Sequence, residues 1–209
     1  SAQILLDLKP YTDETRALLD LAAKDEAPAI RELVAKAVWP YYKPTSLLRQ
    51  RVVDLVIKSI QSVPLPLDGW KLKDDPQILG HKQKWFLPGL DESAWKPVSI
   101  GKFWGEFGTN YLGYAWYRGR FALPAKPEKF DSVELEFGAV DECAWVWLNG
   151  EYAGQHDLGP TGWDKTFQLE VTPLLRWGAD NQIAVRVLNT AFAGGIYKPV
   201  SLQVLRVGN

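Results

Sequence analysis

The sequence predicts a mainly β protein, an antiparallel jelly-roll β-sandwich preceded by a small α-helical segment. Three observations carry this. From about residue 67 onward, apolar residues alternate with a period of two in short runs bounded by Gly, Pro, Asn and Asp. Before residue 62 they recur at helical spacing. Between the two regimes, Ser62-Val63-Pro64-Leu65-Pro66-Leu67 reads as an extended, proline-punctuated linker. The expected organisation is a helical segment over 1–62 and a sandwich over 67–209.

Taken in order, Thr12 or Asp13 can cap a helix with Ala17, Leu18, Leu21 and Ala22 on one face. Asp25 precedes a second helix with Pro28 in its first turn, where a missing N–H does no harm. Its apolar face is Ile30, Leu33, Val34, Ala37 and Val38, and Trp39-Pro40 ends it. A third helix is expected from Thr45 to Ile60, with Leu48, Val52, Leu55 and Val56 on one stripe. The first two helices resemble one HEAT-type helical repeat. Such a repeat stacks in arrays of about three or more to bury its core.

The second half is punctuated by turns. Asp91 and Ser93 suit a local turn that satisfies its own backbone, followed by Trp95-Lys96-Pro97-Val98. Phe103–Tyr111 is Gly-rich and aromatic without a period, hence a loop. Ala115–Pro124 reads as a strand, with Arg118 expected to make structural hydrogen bonds or ion pairs. Val133, Leu135 and Phe137 alternate with Ser132, Glu134 and Glu136, a strand with one face in water. Cys143–Leu148 is apolar on both faces, so both faces should be covered. Asn149-Gly150 is the strongest hairpin signal in the chain, and Glu151-Tyr152-Ala153 returns as the partner strand. Residues 155–163 form a second long loop. Phe167–Val171, Asn181–Asn189 and Val200–Leu202 supply further strands, with a short turn at Leu174–Trp177 closed by Gly178.

The apolar strand ending in Asn149-Gly150, the Trp116-Tyr117-Arg118 strand and the Asp91–Val98 run together resemble a known family. It is the sugar-binding, galactose-binding-like sandwich at the N-terminal end of the β-galactosidase and β-glucuronidase glycoside hydrolases. The resemblance covers roughly residues 67 to 207. It implies a non-catalytic accessory domain, because the family's catalytic acids sit on a separate barrel. In those enzymes, loops of the sandwich can reach the catalytic pocket, often with an acid before the last strand. Here that loop, Asn189–Gly195, has none.

Composition narrows the function. The formal net charge of −1 gives no electrostatic footprint for nucleic acid or an anionic membrane. No apolar run approaches the roughly 20 residues of a membrane span. The single cysteine, Cys143, excludes an intrachain disulfide and a zinc cluster. His81 and His156 lack a nucleophile motif beside them, and Asp141 and Glu142 are neighbours on a strand, not a pair flanking a bond. No enzyme activity is expected. The absence of Met and the Ser-Ala start fit a processed chain, either a secreted or periplasmic/cell-surface protein or an excised one.

Two readings of function stay open. The first is a carbohydrate-binding domain whose partner is an oligo- or polysaccharide. Its platforms would be Trp104, Tyr111 and Trp163, with Glu106, Asn110, His156 and Asp157 as hydrogen-bonding groups. The loops 103–114 and 155–163 would share one weakly acidic cleft between Trp104 and Trp163. The opposing expectation makes both tryptophans plugs of the sandwich ends. The second reading is a structural module that joins other domains or copies through its helical arm. For a cofactor, sandwiches of the galactose-binding type suggest a structural calcium ion. Asp141, Asp157, Asp164 and Asp180 are the candidate oxygen ligands.

Overall fold

The computed structural model describes residues 18, 19, 21, 22, 25–38 and 56–208. The chain divides into two compact units, 1–43 and 44–209.

In the first unit, residues 18, 19, 21 and 22 are helical and α1 spans Pro28–Val38. Pro28 stands at the start of α1, as its missing N–H allows. Asp25 secures the entry, its Oδ1 accepting from the Ala27 N–H at 2.8 Å. Leu19 and Val34 are buried together, with Ala22 and Leu33 against them. This is a helical hairpin joined by one small apolar contact. The expected caps at Thr12 or Asp13 and the helix over 45–55 lie outside the described residues.

The second unit is a sandwich of two antiparallel sheets. Its strands are β1 (Val56–Pro64), β2 (Trp70–Asp74), β3 (Lys96–Val98), β4 (Gly113–Ala122) and β5 (Ser132–Phe137). They continue with β6 (Cys143–Leu148), β7 (Glu151–His156), β8 (Phe167–Glu170), β9 (Asp180–Asn189) and β10 (Val200–Gly208). One sheet has the order β1-β10-β5-β8 and the other β3-β2-β4-β9-β6-β7. Leu72, Tyr117, Val146, Val185 and Val187 of the larger sheet meet Val133, Leu135, Phe137, Leu169 and Val204 of the smaller in one apolar core.

β1 corrects the sequence expectation. Residues 56–60 are not the end of a helix and 62–64 are not a linker: Val56–Pro64 is an edge strand paired with β10. Val56, Ile57, Ile60 and Val63 are β-branched, which favours a pleated surface over a helix. Pro64 lies at the strand's end on the sheet edge, where an absent donor is tolerated. The partly apolar stripe that looked helical is broken by a bulge between Ser59 and Gln61. A smaller correction concerns β5. Its outward face is not simply wet, since Glu134, between Gln203 of β10 and Glu170 of β8, is fully buried.

The turn of the β6–β7 hairpin is as expected, but β7 runs on to His156, so Gln155 and His156 belong to the strand and not to the second long loop. Leu148 pairs with Glu151 across a two-residue turn, with φ of 53° at Asn149 and 88° at Gly150. Asn149 also ties the turn to its surroundings: Oδ1 accepts from the Gln182 N–H at 3.0 Å, and Nδ2 donates to Leu174 O and Asn181 Oδ1 at 2.8 Å.

The larger sheet has a second apolar layer on its outer face, built from residues 75–95 folded over it. Trp116 and Trp147 are fully buried there with ring centroids 5.0 Å apart. Phe86 stacks on Trp147 at 5.2 Å, and Trp85 packs edge-on against Trp95 at 5.5 Å. Asp75 anchors the segment, its Oδ2 accepting from Trp116 Nε1 and from the Gly80 N–H, each at 2.9 Å. A Cβ at Gly80 would stand 2.3 Å from Trp116 Nε1, so only glycine lets the segment lie this close. Arg118, buried on β4, donates to Glu92 Oε1 at 2.7 Å and to the carbonyls of Trp85 and Leu87. Burial pushes the Glu92 carboxyl up, but hydrogen bonds from Arg118 and Arg120 outweigh it and hold Glu92 below its ordinary value. Arg118 is thus structural, and the Asp91–Ser93 turn forms as expected, Asp91 Oδ1 accepting from the Ser93 N–H at 2.9 Å.

A side chain at position 150 would be strained by its positive φ, and its Cβ would meet Pro88 Cδ at 2.9 Å. Gly150→Val is expected to cost about 1–3 kcal/mol. Urea melts should show a lowered midpoint, and an unchanged midpoint would contradict the turn.

Candidate functional site

The site begins with Phe103–Tyr111. Trp104–Phe107 forms one 3-10 turn, and Gly108 closes it with a left-handed φ of 75°. Glu106 holds the turn's start, its Oε1 accepting from the Phe103 N–H at 2.9 Å. The turn drives Trp104 inward. Its indole is 1% exposed, and Nε1 donates to the Tyr117 hydroxyl at 2.6 Å. Tyr117's own burial raises its phenol well above the ordinary value, although the Trp104 bond opposes the shift.

The second component is the loop Asn189–Gly195, between β9 and β10. The Trp104 N–H donates to Gly194 O at 2.8 Å. A Cβ at Gly194 would lie 2.6 Å from the Trp104 ring and one at Gly195 2.9 Å, so the paired glycines admit this close approach. The loop is fastened at its other points too. Thr190 donates to Glu142 Oε2 from its N–H at 3.2 Å and its Oγ1 at 2.7 Å. Asp141 and Gly195 exchange backbone hydrogen bonds of 3.0 and 3.2 Å. Asn189 Oδ1 accepts from the Ala191 N–H, and Nδ2 donates to Tyr111 O at 3.1 Å.

A cavity of about 300 Å³ opens between the two loops. It is lined by Phe103, Trp104, Gly105, Glu106, Thr109, Asn110 and Tyr111 from one loop and by Asn189, Phe192, Ala193 and Gly194 from the other. The lining thus combines aromatic rings with two amides, two hydroxyls and one carboxylate. Lys96 adds a cation at the rim, donating to Phe107 O at 2.7 Å and Thr109 Oγ1 at 3.1 Å. Such a lining can hold a polar ring by apolar contact on one face and hydrogen bonds at its edge.

Of the seven sequence-predicted sugar-site residues, Trp104, Glu106, Asn110 and Tyr111 come together at this cavity. His156, Asp157 and Trp163 do not. His156 is buried, its ring stacked on Phe167 at 4.4 Å, and its Nε2 lies 3.0 Å from Gly162 O. Burial lowers its basicity, against the Gly162 bond and Asp157. It is a packing residue, and Asp157 accepts from the Cys143 thiol at 3.5 Å. Trp163 is 48% exposed and stacks on Tyr197 at 6.2 Å, while Tyr197 stacks on Phe103 at 4.2 Å. The two long loops therefore meet through Tyr197, but Trp163 does not border the cavity. Trp104 is a plug, and Trp163 is not. Phe103, Thr109, Asn189 and Phe192 were missed. Phe103 and Thr109 lie in the Gly-rich aromatic loop that the sequence did mark, whereas for Asn189 and Phe192 the signal was the Gly-Gly pair beside an aromatic in Asn189–Gly195.

The four aspartates expected as calcium ligands are not brought together. Among the described residues, no three His, Cys, Asp or Glu are gathered where they could hold a metal ion. Asp141 is buried beside Glu142, Asp157 meets Cys143, Asp164 pairs with Lys165 at 3.1 Å, and Asp180 begins β9 in solvent. The Cys143 thiol is held well above its ordinary value, first by burial and then by Asp157.

The family model of the "Beta-galactosidase second all-beta domain" matches residues 80–192, more than half of the chain. The chain belongs to this family. It is thus an accessory β domain of the kind the sequence resemblance suggested, though the match is to a second all-β domain and not to an N-terminal one. A β-glucuronidase of Formosa agariphila is 38% identical over 101 residues, 47% of this chain and 10% of that protein. A β-galactosidase of Thermoanaerobacter pseudethanolicus is 30% identical over 137 residues, 56% of this chain and 18% of the relative. Among solved structures, the β-glucuronidase of Ruminococcus gnavus shares the fold with a TM-score of 0.59 at 22% identity, over 71% of this chain and 30% of that one. The chain therefore spans well under a third of the length of the curated relatives it matches. The described residues of the second unit form two antiparallel sheets and no (β/α)8 barrel.

Burial, with the Glu142 carboxylate beside it, pushes the Asp141 carboxyl up to about 6. A folded value raised above the unfolded one gives stability that is present below about pH 4 and lost as pH rises through about 6. Asp141→Asn mimics the protonated form and keeps that stability. The melting-temperature gap between variant and wild type should open between about pH 4 and 6 and stay constant above. A gap independent of pH would contradict the assignment.

Proposed function

We propose that this chain is a non-catalytic carbohydrate-binding accessory domain of a larger, secreted or cell-surface glycan-processing protein. The observation that carries the reading is the cavity between Phe103–Tyr111 and Asn189–Gly194, with aromatic walls and amide, hydroxyl and carboxylate groups at its edge. Family membership supports the setting, since the relatives are named β-glucuronidase and β-galactosidase. The galactose-binding-like jelly-roll reading rests on strand order, in which sequence-distant β5 and β10 are neighbours, as are β4 and β9. Trp104 acts as the cavity's base, with Glu106, Asn110 and Tyr111 as polar contacts. The partner is a neutral oligo- or polysaccharide bound weakly, with Kd roughly micromolar to millimolar, or about 4–8 kcal/mol.

A second reading is a structural module, with the helical hairpin as a docking arm for other domains. Burial of Trp104 and the Phe103–Tyr197–Trp163 ladder favour it, because both close the sandwich end without a ligand.

A glycan-array screen of the chain, followed by calorimetry on the hits, separates the two. Asn110 is exposed, so Asn110→Ala should leave the melting temperature unchanged. It should weaken glycan binding about fivefold, the worth of one hydrogen bond of about 1 kcal/mol. Absence of any glycan hit would favour the structural module.

A further inference from the structure

Phe192 is the one described large hydrophobic residue that is 100% exposed, and its φ is 59°. Both facts are unfavourable where it stands. A phenyl ring in water contributes no packing, and a left-handed backbone strains any residue with a Cβ. Such strain persists only where the surroundings over-determine it, and it concentrates at ligand clamps. The surroundings here do so. Thr190 is held by Glu142, Gly194 by the Trp104 N–H and Gly195 by Asp141, so the backbone is fastened on either side of Phe192. The result is a loop tied at both ends that presents an aromatic side chain at the border of the cavity.

From this we infer that Phe192 is the stacking platform of the cavity, taking the C–H face of a pyranose while Asn110 and Glu106 meet its hydroxyls. This rests on the carbohydrate-binding reading and adds to it the residue that supplies the apolar contact. Trp104 cannot fill that role, because its ring is sealed beneath Gly194 and Gly195. Phe192 loses little conformational freedom on binding, since an aromatic side chain has two torsions and this backbone is already fastened on either side. A β-galactoside suits the platform, because its C3, C4 and C5 hydrogens lie on one face of the ring.

The experiment is calorimetric titration of the 209-residue chain with lactose, for wild type, Phe192→Gly, Phe192→Trp and Asn110→Ala. Phe192→Gly relieves the backbone strain and removes the ring. It should weaken lactose binding at least tenfold with a melting temperature equal to or above wild type. Phe192→Trp should bind within about threefold of wild type, since an indole face substitutes for a phenyl face. Lactose binding by Phe192→Gly within twofold of wild type, with binding still weakened about fivefold in Asn110→Ala, would overturn the platform and leave the sugar site standing; Phe192 would then belong to a protein contact. No lactose binding by wild type would overturn the inference, and no glycan-array hit of any kind would overturn the carbohydrate-binding reading with it. A clear fall in the melting temperature of Phe192→Gly would show that the ring supports the fold, and would also overturn the inference.

Discussion

The contact between the Trp104 indole and the Gly194-Gly195 backbone is the constraint on which this end of the molecule depends. The indole fills the gap between the two sheets beneath the loops and its Nε1 donates to Tyr117, while the Trp104 backbone N–H holds the Gly194 carbonyl. With the indole in that place, the turn over Trp104–Phe107 must lie above it and Asn189–Gly195 must pass across it. The cavity is the space left between those two paths. A Cβ at either glycine would meet the ring below 3.0 Å, so the loop's course is set by packing and not by local turn preference.

The tryptophans owe their number mainly to architecture. Trp70 and Trp104 belong to the core between the sheets, whereas Trp85, Trp95, Trp116, Trp145 and Trp147 are buried on the outer face of the larger sheet or in the segment over it. A sheet with both faces apolar needs two covering layers, and residues 75–95 supply the second. Asp75 and Arg118 hold that layer by satisfying backbone groups that its irregular path leaves unpaired.

Much of the sandwich was legible because its signals are local. Asn149-Gly150 fixes a hairpin by backbone preference alone, the doubly apolar Cys143–Leu148 announces a covered strand, and Asp91-x-Ser93 builds its own turn. What was not legible depends on long-range placement. Val56–Pro64 carries an apolar stripe compatible with a helix, and only pairing with β10, far away in sequence, makes it a strand. Trp104 and Trp163 look alike in sequence, but one is drawn under a glycine pair and the other is left at the surface. His156 and the four aspartates are polar residues in or near loops, and the sheet register turns His156 inward and scatters the carboxylates. Phe192 was hidden because exposure and a positive φ are properties of the folded loop.

The central claim, that the space between the two loops is a sugar site, is tested most directly by amide shift mapping of the labelled chain titrated with lactose. The account predicts shifts confined to residues 103–111 and 189–194, saturating with one affinity. Shifts centred on Trp163 or on the outer aromatic layer, or no shifts at all, would contradict it.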